Sequence, residues 1–416
     1  MGIIKHSITV ATEKIERSLG LDLGYYVRNN FYLITTQLIV LLCGLATSIT
    51  MARLLPKEVY GQYNYIFSII NILAISSLPG MGAAILQAVA NGHDQALITG
   101  TKTRIKWSII GAVLCLFIGL YYYSSGEVLL GTSFVSISLF FPLYTSFDNI
   151  YPFLSGRKRF DLYSYYRSGY WIVLALAIIL AVYLSKNLLW IVIVYMATAT
   201  VIESSFFFNT IRTGNLNRSE DKAAMTYGKQ LTGIQAMGIA VLQFDKLIVG
   251  LALGFSQLAI YSIASMIANI ASILTVSLST TILPKIAVME DDVAYSEVKR
   301  RLPWLILGMV IICGIGTLLC PYVIPWLYTQ KYLDSVLYTQ LLFIPVIVGT
   351  PALILRRGVL QARKKTRELF KINVAVSVFE VAMLALLALN FGLLGIVIAR
   401  ILARALDSGY SWALTR

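Results

Sequence analysis

The feature that most constrains this chain is an internal repeat of apolar segments. Residues 51–73 join one long apolar run to the next through a short turn, and a similar segment follows Gly250. Four identical pairs, each 198 residues apart, relate the two segments: Tyr63/Tyr261, Ile69/Ile267, Asn71/Asn269 and Ile72/Ile270. A repeat at a fixed period determines architecture, so it is interpreted before any single motif.

Two further matches occur in the same order along the chain. The basic segment 156–159 (Gly-Arg-Lys-Arg) aligns with 362–365 (Ala-Arg-Lys-Lys) at a spacing of 206 residues. The segment 188–193 aligns with 393–398 at a spacing of 205 residues. The spacing changes little across the three matches, which indicates two copies of one unit.

Composition indicates that this unit is embedded in a membrane. The chain is 58% hydrophobic and 13% charged, with a mean hydropathy of +0.75, whereas about a quarter of the residues of a soluble domain are charged. Its apolar runs have the length, about 17–25 residues, at which a helix crosses a membrane. We predict an all-α integral membrane protein with about twelve transmembrane helices, at 30–52, 62–81, 106–123, 128–147, 168–184, 188–208, 230–251, 257–283, 303–325, 336–355, 371–389 and 393–412.

The division into six helices per half determines how the two repeats are oriented. Two repeats with an even number of helices must run parallel to each other in the membrane. The predicted parts are a cytoplasmic amphipathic segment (1–29), a first six-helix lobe (30–211), a cytoplasmic linker (212–229) and a second six-helix lobe (230–416).

Basic residues predict the orientation. Of the 34 lysines and arginines, 27 lie in the termini and one alternate set of connections, four lie in the opposite set, and three fall inside predicted spans. Because cytoplasmic connections carry the excess of basic residues, both termini are predicted to be cytoplasmic. This bias accounts for the net charge of +14 without a nucleic-acid partner.

Nothing in the sequence indicates an enzyme. The predicted outward connections are too short to form a folded domain, and the chain contains no P-loop and no dinucleotide-binding glycine motif. The two histidines, His6 and His93, are far apart, so they form no metal site or catalytic pair by spacing. We expect no cofactor. Energy would come from a gradient, with H⁺ or Na⁺ coupling left open, from coupled synthesis, or from a partner.

Ionisable residues inside predicted spans are the first candidate site, because they are costly in a membrane and usually face a cavity or a partner. Arg400, Arg404 and Asp407 follow a spacing that places them on one face of the last helix. Two arginines on one face suit phosphate, since each guanidinium offers a planar fork of donors. The alternative is a structural lock, in which Arg404 pairs with Asp407 and Glu380 pairs with Arg400. The other candidates in this class are Asp148, Asp245, Lys246 and Glu380.

The second candidate class is the pair of basic segments around Arg157 and Arg363, at equivalent points of the two halves. One interpretation is orientation alone. The other is an entrance that attracts lipid-linked phosphate at the inner leaflet.

The order of these features resembles the polysaccharide repeat-unit flippases, the O-antigen transporters of the multidrug/oligosaccharidyl-lipid/polysaccharide exporter superfamily. The resemblance extends over residues 28–412. It is carried by the segments 52–64 (Ala-Arg-Leu-Leu-Pro-Lys-Glu-Val-Tyr-Gly-Gln-Tyr-Asn), 78–82 (Leu-Pro-Gly-Met-Gly), 244–250 (Phe-Asp-Lys-Leu-Ile-Val-Gly) and 260–264 (Ile-Tyr-Ser-Ile-Ala).

The resemblance implies two six-helix lobes around a central cationic cavity in the bacterial cytoplasmic (inner) membrane. It also implies transport of undecaprenyl-pyrophosphate-linked oligosaccharide between leaflets, alongside a polymerase and glycosyltransferases of the same pathway. Two other functions stay open from the sequence. A cation-coupled multidrug exporter of the same fold would need a cavity rich in carboxylates and aromatic residues. An oligosaccharide polymerase or ligase would need long outward loops with catalytic residues.

Overall fold

The computed structural model describes residues 23–287, 291–356 and 366–415, which are almost entirely helical and include no β-strand. The helices are α1 (Leu23–Leu54), α2a (Lys57–Leu73), α2b (Met81–Ala90), α3 (Ala96–Ser124), α4a (Val128–Tyr144), α4b (Ile150–Gly156), α5 (Phe160–Ser185), α6 (Leu188–Thr213), α7 (Lys222–Ile248), α8 (Phe255–Ala287), α9 (Asp291–Tyr328), α10 (Asp334–Leu355) and the element Thr366–Thr415. The predicted all-α fold is confirmed. The predicted amphipathic segment lies mostly outside the described residues.

The described helices account for twelve crossings. Ten are long and apolar enough to span a membrane, and α2a and α2b, bent by 50°, make an eleventh. The last of the ten is two helices, because Gly392 has φ 59° and ψ −139°. A Cβ on Gly395 would lie 1.9 Å from the Leu387 carbonyl oxygen, so the chain reverses there. We name the two parts α11 (366–391) and α12 (393–415).

Two crossings are broken, and the sequence explains the first break. After the 3₁₀ turn Ala74–Ser77, Leu78 adopts a left-handed conformation (φ 60°, ψ 65°) and precedes Pro79, which has no amide hydrogen to donate. The predicted span 62–81 is therefore broken within its last turn, at Leu78 and Pro79. The second break is the 3₁₀ turn Phe147–Asn149 between α4a and α4b. Both breaks place polar groups inside the bundle.

The sequence repeat coincides with equivalent places in the fold. The segments 51–73 and 250–271 contain the turns from α1 to α2a and from α7 to α8, and the matching segments 188–193 and 393–398 begin α6 and α12. The helices α7 to α12 therefore repeat the order α1 to α6.

The short connections that follow α1, α3, α5, α7, α9 and α11 define what we call the short-loop end of the bundle. The two halves meet closely there. A Cβ on Gly61 would lie 1.8 Å from the Phe255 carbonyl oxygen, so only glycine permits this contact of α2a with α8. Arg53 Nε donates to the Leu327 carbonyl at 2.7 Å, and Lys331 Nζ donates to the Leu55 carbonyl at 2.8 Å.

The opposite end, which we call the basic end, differs from the prediction in where its helices begin and end. The third and fifth spans begin at Ala96 and Phe160 rather than at 106 and 168, and the fourth continues to Gly156 rather than ending at 147. A span predicted from hydropathy ends at the first cluster of charged residues. The helix itself can continue past the apolar core of the membrane, because long basic side chains extend to the polar interface. The non-helical connection between α6 and α7 is correspondingly short, at 214–221.

Candidate functional site

Arg400 on α12 is bound to Asp245 on α7. Arg400 Nη2 and the Tyr261 hydroxyl both donate to Asp245 Oδ2, and the Lys246 amide donates to Asp245 Oδ1 at 2.7 Å. Asp245 is 1% exposed, and the Arg400 guanidinium lies 5.8 Å from the centre of the Tyr261 ring. The predicted pairing of Arg400 with Glu380 is wrong, because α7 and α8 supply the partners of Arg400.

Arg404 is held more loosely than Arg400. Its nearest carboxylate oxygen, on Asp407, is 3.8 Å away, and 36% of the Arg404 side chain is exposed. Both oxygens of Asp407 accept from Arg356 Nη1 at 3.0 Å, so the predicted pair of Arg404 and Asp407 is a secondary contact. Glu380 is buried but forms no hydrogen bond or ion pair with any residue that the structure describes.

These residues line a cavity of about 600 Å³ in the second half of the chain, which we call the second-half cavity. Its walls come from α7, α8, α10, α11 and α12, and its charged residues are Arg356, Arg400, Arg404 and Asp407. Three guanidinium groups and one carboxylate therefore line the cavity, and a second carboxylate, that of Asp245, lies behind Arg400. In addition, Arg400 Nε is buried and has no hydrogen-bond partner among the described residues, so this donor is unused.

A second cavity of about 390 Å³, the first-half cavity, lies beside the breaks in α2 and α4. Arg104 on α3 is central to its structure. Its Nη1 donates to Asp148 and, at 2.8 Å, to Asn149 Oδ1, while Nε donates to the Ser77 carbonyl at 2.9 Å. The predicted site residue Asp148 is thus part of a network that connects both breaks.

The remaining charged residues of the first-half cavity are Arg167 and Glu203. The Arg167 guanidinium lies 4.7 Å from the centre of the Tyr151 ring and 5.8 Å from that of Tyr170. Glu203 is 3% exposed. With Arg104 and Asp148, this cavity contains two positive and two negative groups, so its charge is balanced.

Lys246 points away from the pair formed by its neighbour Asp245. It lines a third cavity of about 290 Å³ that includes Tyr60 and Asn64 from the first half and Ser262 from α8. Among the described residues Lys246 forms no ion pair. It therefore places a positive charge between the two halves.

The two predicted basic segments have different outcomes. Arg157 Nε and Nη2 donate to the two oxygens of Asp94 at 3.0 and 2.6 Å, and Nη1 donates to the Gly214 carbonyl. Burial raises the pKa of Asp94, but the hydrogen bonds from Arg157 and the Asn217 amide outweigh it and leave the pKa lowered. Arg157 thus joins three connections at the basic end. Arg363 lies outside the described residues.

The sequence interpretation missed Arg104, Arg167 and Arg356, which it assigned to basic connections. A sequence signal for Arg104 was present, because the small residues Ser108, Gly111 and Cys115 follow it at steps of three or four positions. This periodicity is typical of one helix face and continues through the basic segment. The buried series is Thr101, Arg104, Ser108, Gly111 and Cys115.

Comparison with known proteins identifies the family. The sequence profile of the family described as polysaccharide biosynthesis protein matches residues 26–290. The chain belongs to this family. No curated protein matches it.

Several solved structures have the same fold. An inward-facing multidrug resistance MATE family transporter of the MOP superfamily is 12% identical, with a TM-score of 0.63 over 90% of this chain and 94% of that one. The lipid II flippase MurJ in an inward closed conformation is 14% identical, with a TM-score of 0.68 over 93% and 87%. A MOP superfamily transporter from Pyrococcus furiosus, described as having a binding pocket of reverse polarity, is 11% identical, with a TM-score of 0.57 over 94% and 95%. At these identities the likeness establishes the fold. Together with the family match, it confirms the predicted superfamily.

Proposed function

We propose that this protein is a flippase that moves undecaprenyl-pyrophosphate-linked oligosaccharide repeat units from the cytoplasmic to the periplasmic leaflet. The product would enter O-antigen or another surface polysaccharide, through a polymerase of the same pathway. The observation that carries the proposal is the second-half cavity, in which Arg356, Arg400 and Arg404 face one carboxylate.

The physical argument concerns the pyrophosphate. Transfer of an anion out of water is very costly unless fixed positive groups and hydrogen-bond donors replace its hydration. Guanidinium groups are suited to this role, since each binds phosphate oxygens through two parallel donors. Arg404 has its nearest described carboxylate oxygen 3.8 Å away, and Arg400 Nε has no hydrogen bond to any described residue, so both supply unused donors.

The proposed direction of transport rests on the distribution of basic residues and on the position of the second-half cavity. The excess of basic residues favours a cytoplasmic basic end in a bacterial inner membrane, with both termini on that side. Arg356 directly follows the last residue of α10 at the basic end, so the cavity extends toward that side. An anionic headgroup would enter from the cytoplasm. Arg157 and Arg363 would contribute to the positive electrostatic potential at that end.

A cation-coupled multidrug exporter of the same fold is less consistent with this site. A lipophilic cation would meet three guanidinium groups in the second-half cavity, and like charges at short range in a medium of low dielectric repel strongly. A polymerase or ligase would need catalytic residues on long outward loops, whereas the connections of the short-loop end are short.

Deletion of the gene tests the function. We expect lipid-linked repeat units to accumulate in the inner leaflet and long-chain surface polysaccharide to be lost, with recovery when the intact gene is supplied. Normal polysaccharide in a deletion strain that contains no related flippase would contradict the proposal. Alkaline phosphatase fused after Lys365 tests the orientation separately, and it should be inactive if the basic end is cytoplasmic.

A further inference from the structure

The first-half cavity is adjacent to the second-half cavity. Leu242 on α7 lines both of them. A ligand with its anionic group against the arginines of the second half can therefore extend past α7 into the first half. The question is which part of the ligand the first-half cavity suits.

The charge of the first-half cavity argues against binding of a second anionic group. Arg104 is already bound by Asp148, Asn149 and the Ser77 carbonyl, and the positive charge of Arg167 is balanced by the carboxylate of Glu203 in the same cavity. No excess of positive charge remains on the walls. The ligand group that fits here is polar but carries little net charge.

The aromatic side chains indicate the shape of that group. Tyr144, Tyr170, Trp171 and Tyr195 line the cavity, and they come from α4a, α5 and α6. Each ring has an apolar face and a polar edge. A pyranose ring is complementary to such a wall, since its C–H bonds form a flat apolar face and its hydroxyl groups lie around the rim.

Two polar groups in the cavity have no partner in the part of the chain that the structure describes. Trp171 Nε1 is buried without a hydrogen bond, and Glu203 forms no hydrogen bond or ion pair with any described residue. Buried polar groups are normally hydrogen-bonded, so each such exception requires an explanation. An indole nitrogen only donates and a carboxylate only accepts, whereas a hydroxyl group can do both. A ligand rich in hydroxyl groups satisfies both.

We propose that the first-half cavity binds the sugar part of the lipid-linked oligosaccharide, with Trp171 donating to a sugar oxygen and Glu203 accepting from a sugar hydroxyl. This inference rests on the proposed function and adds the position of the glycan. It also assigns sugar specificity to the first half. A site built to hydrogen-bond a hydroxyl group discriminates strongly against a ligand that lacks it.

Binding to two probes tests the assignment, with the full-length chain in lipid nanodiscs. The probes are undecaprenyl pyrophosphate and the same lipid carrying one N-acetylglucosamine. Trp171→Phe keeps the ring and removes the N–H, and Glu203→Gln keeps the shape and removes the charge. We expect Trp171→Phe to weaken binding of the glycosylated probe about tenfold, the size of one lost hydrogen bond. Glu203→Gln should weaken it about fivefold, because the amide oxygen still accepts but the bond is no longer charge-assisted. Both should change binding of the bare lipid less than about twofold.

Matched controls are available on the outer surface. Trp190 is 56% exposed and Glu127 is also exposed, so Trp190→Phe and Glu127→Gln should leave both affinities unchanged. Thermal unfolding of each variant reports whether the fold is intact.

The outcomes separate this inference from the proposed function. Equal affinity of the unaltered protein for the two probes, or equal loss of both in the variants, would overturn the glycan subsite while leaving the flippase intact. A Glu203→Gln effect confined to the pH dependence of transport would also overturn it, in favour of a proton site. Failure of the unaltered protein to bind either probe would contradict the function itself.

Discussion

The two halves of this molecule share a helix order but contain cavities of different charge. The second-half cavity presents three arginines and one carboxylate, whereas the first-half cavity presents two of each. At the spacing of 205 residues that relates 188–193 to 393–398, Arg400 corresponds to Tyr195. Each of these residues lines the cavity of its own half. An aromatic ring in one half thus stands where the other half has a cation.

The charged residues of the two cavities also differ in their structural contacts. In the first half, Arg104 binds the two breaks in α2 and α4, so its role in the fold is evident. In the second half, the carboxylates of Asp245 and Asp407 lie behind or beside arginines that still face open space. Removing a charge should therefore affect stability most in the first half and transport most in the second, with Arg400 affecting both.

The largest effect is expected for Arg400→Ala. It removes a cavity donor and leaves Asp245, which is 1% exposed, without its counter-ion. Breaking a buried ion pair in this way costs about 3–5 kcal/mol of stability. We expect transport to be lost and the amount of protein in the membrane to fall, measured by surface polysaccharide and by immunoblot.

A second substitution separates the two consequences. Adding Asp245→Asn to Arg400→Ala removes the stranded charge, so protein abundance should recover while transport stays absent. Adding Glu380→Gln instead should rescue neither, because Glu380 is not the partner of Arg400. If transport returned in the first double variant, Arg400 would have only a structural role.

Arg104→Ala should have the largest effect in the first half. It removes three contacts that join Ser77, Asp148 and Asn149, and its side chain is 6% exposed. We expect the free energy of unfolding to fall by about 3 kcal/mol, as for other buried charge networks. Thermal unfolding of the purified protein in detergent measures this.

The same helix offers controls for Arg104. Lys102 and Lys106 lie two positions before and after it, and both are exposed. Replacement of either by alanine should change stability little. A variant of Arg104 that unfolds normally but no longer binds undecaprenyl pyrophosphate would mean that the first half also binds the anion, and the contrast between the cavities would fail.

Arg404→Gln should produce a smaller effect that is confined to binding. Because the nearest carboxylate oxygen is 3.8 Å from Arg404, little stability is lost with the charge. We expect affinity for undecaprenyl pyrophosphate to fall about tenfold, with part of it retained in Arg404→Lys, which keeps the charge but not the bidentate fork. Arg159→Gln, at an exposed ion pair, is the matched control. Equal affinities for all three variants would exclude Arg404 from the site.

The sequence predicted the fold better than the contacts of the site. The repeat and the apolar runs were sufficient for twelve helices, because crossing a membrane constrains length and composition strongly. The break at Leu78 and Pro79 was also predictable, since proline cannot continue the hydrogen-bond ladder. The helix ends at the basic side were not, because hydropathy alone treats Arg104 and Arg167 as loop residues.

The partners of the charged residues depend on packing between distant helices. Asp245 and Arg400 are 155 positions apart, and no local pattern relates them. Expectations limited to nearby acids therefore selected Glu380 for Arg400. Periodicity can place a residue on a helix face, but only the assembled bundle determines which helix that face meets.

The smallest effect concerns the ion pair of Asp94 with Arg157 at the basic end of the first half. The pKa of Asp94 is lowered in the folded protein, so the pair stabilises the fold above the unfolded-state pKa of about 3.9 and loses this effect as pH falls through the folded-state value. Asp94→Asn should therefore unfold more easily than the unaltered protein at pH 7, by about 1.5 kcal/mol, the scale of hydrogen bonds to one charged group. Unfolding midpoints from pH 7 down to pH 3 should show this difference shrinking below about pH 4.

Asp161→Asn is the control, because it removes an ion pair in which both side chains are about half exposed, and it should change stability little at any pH. A deficit in Asp94→Asn that is the same at pH 3 and pH 7 would mean that the carboxylate charge is not what stabilises these connections. Transport per folded molecule should be unchanged in either case if the arginines of the first half serve the fold and those of the second half bind the substrate.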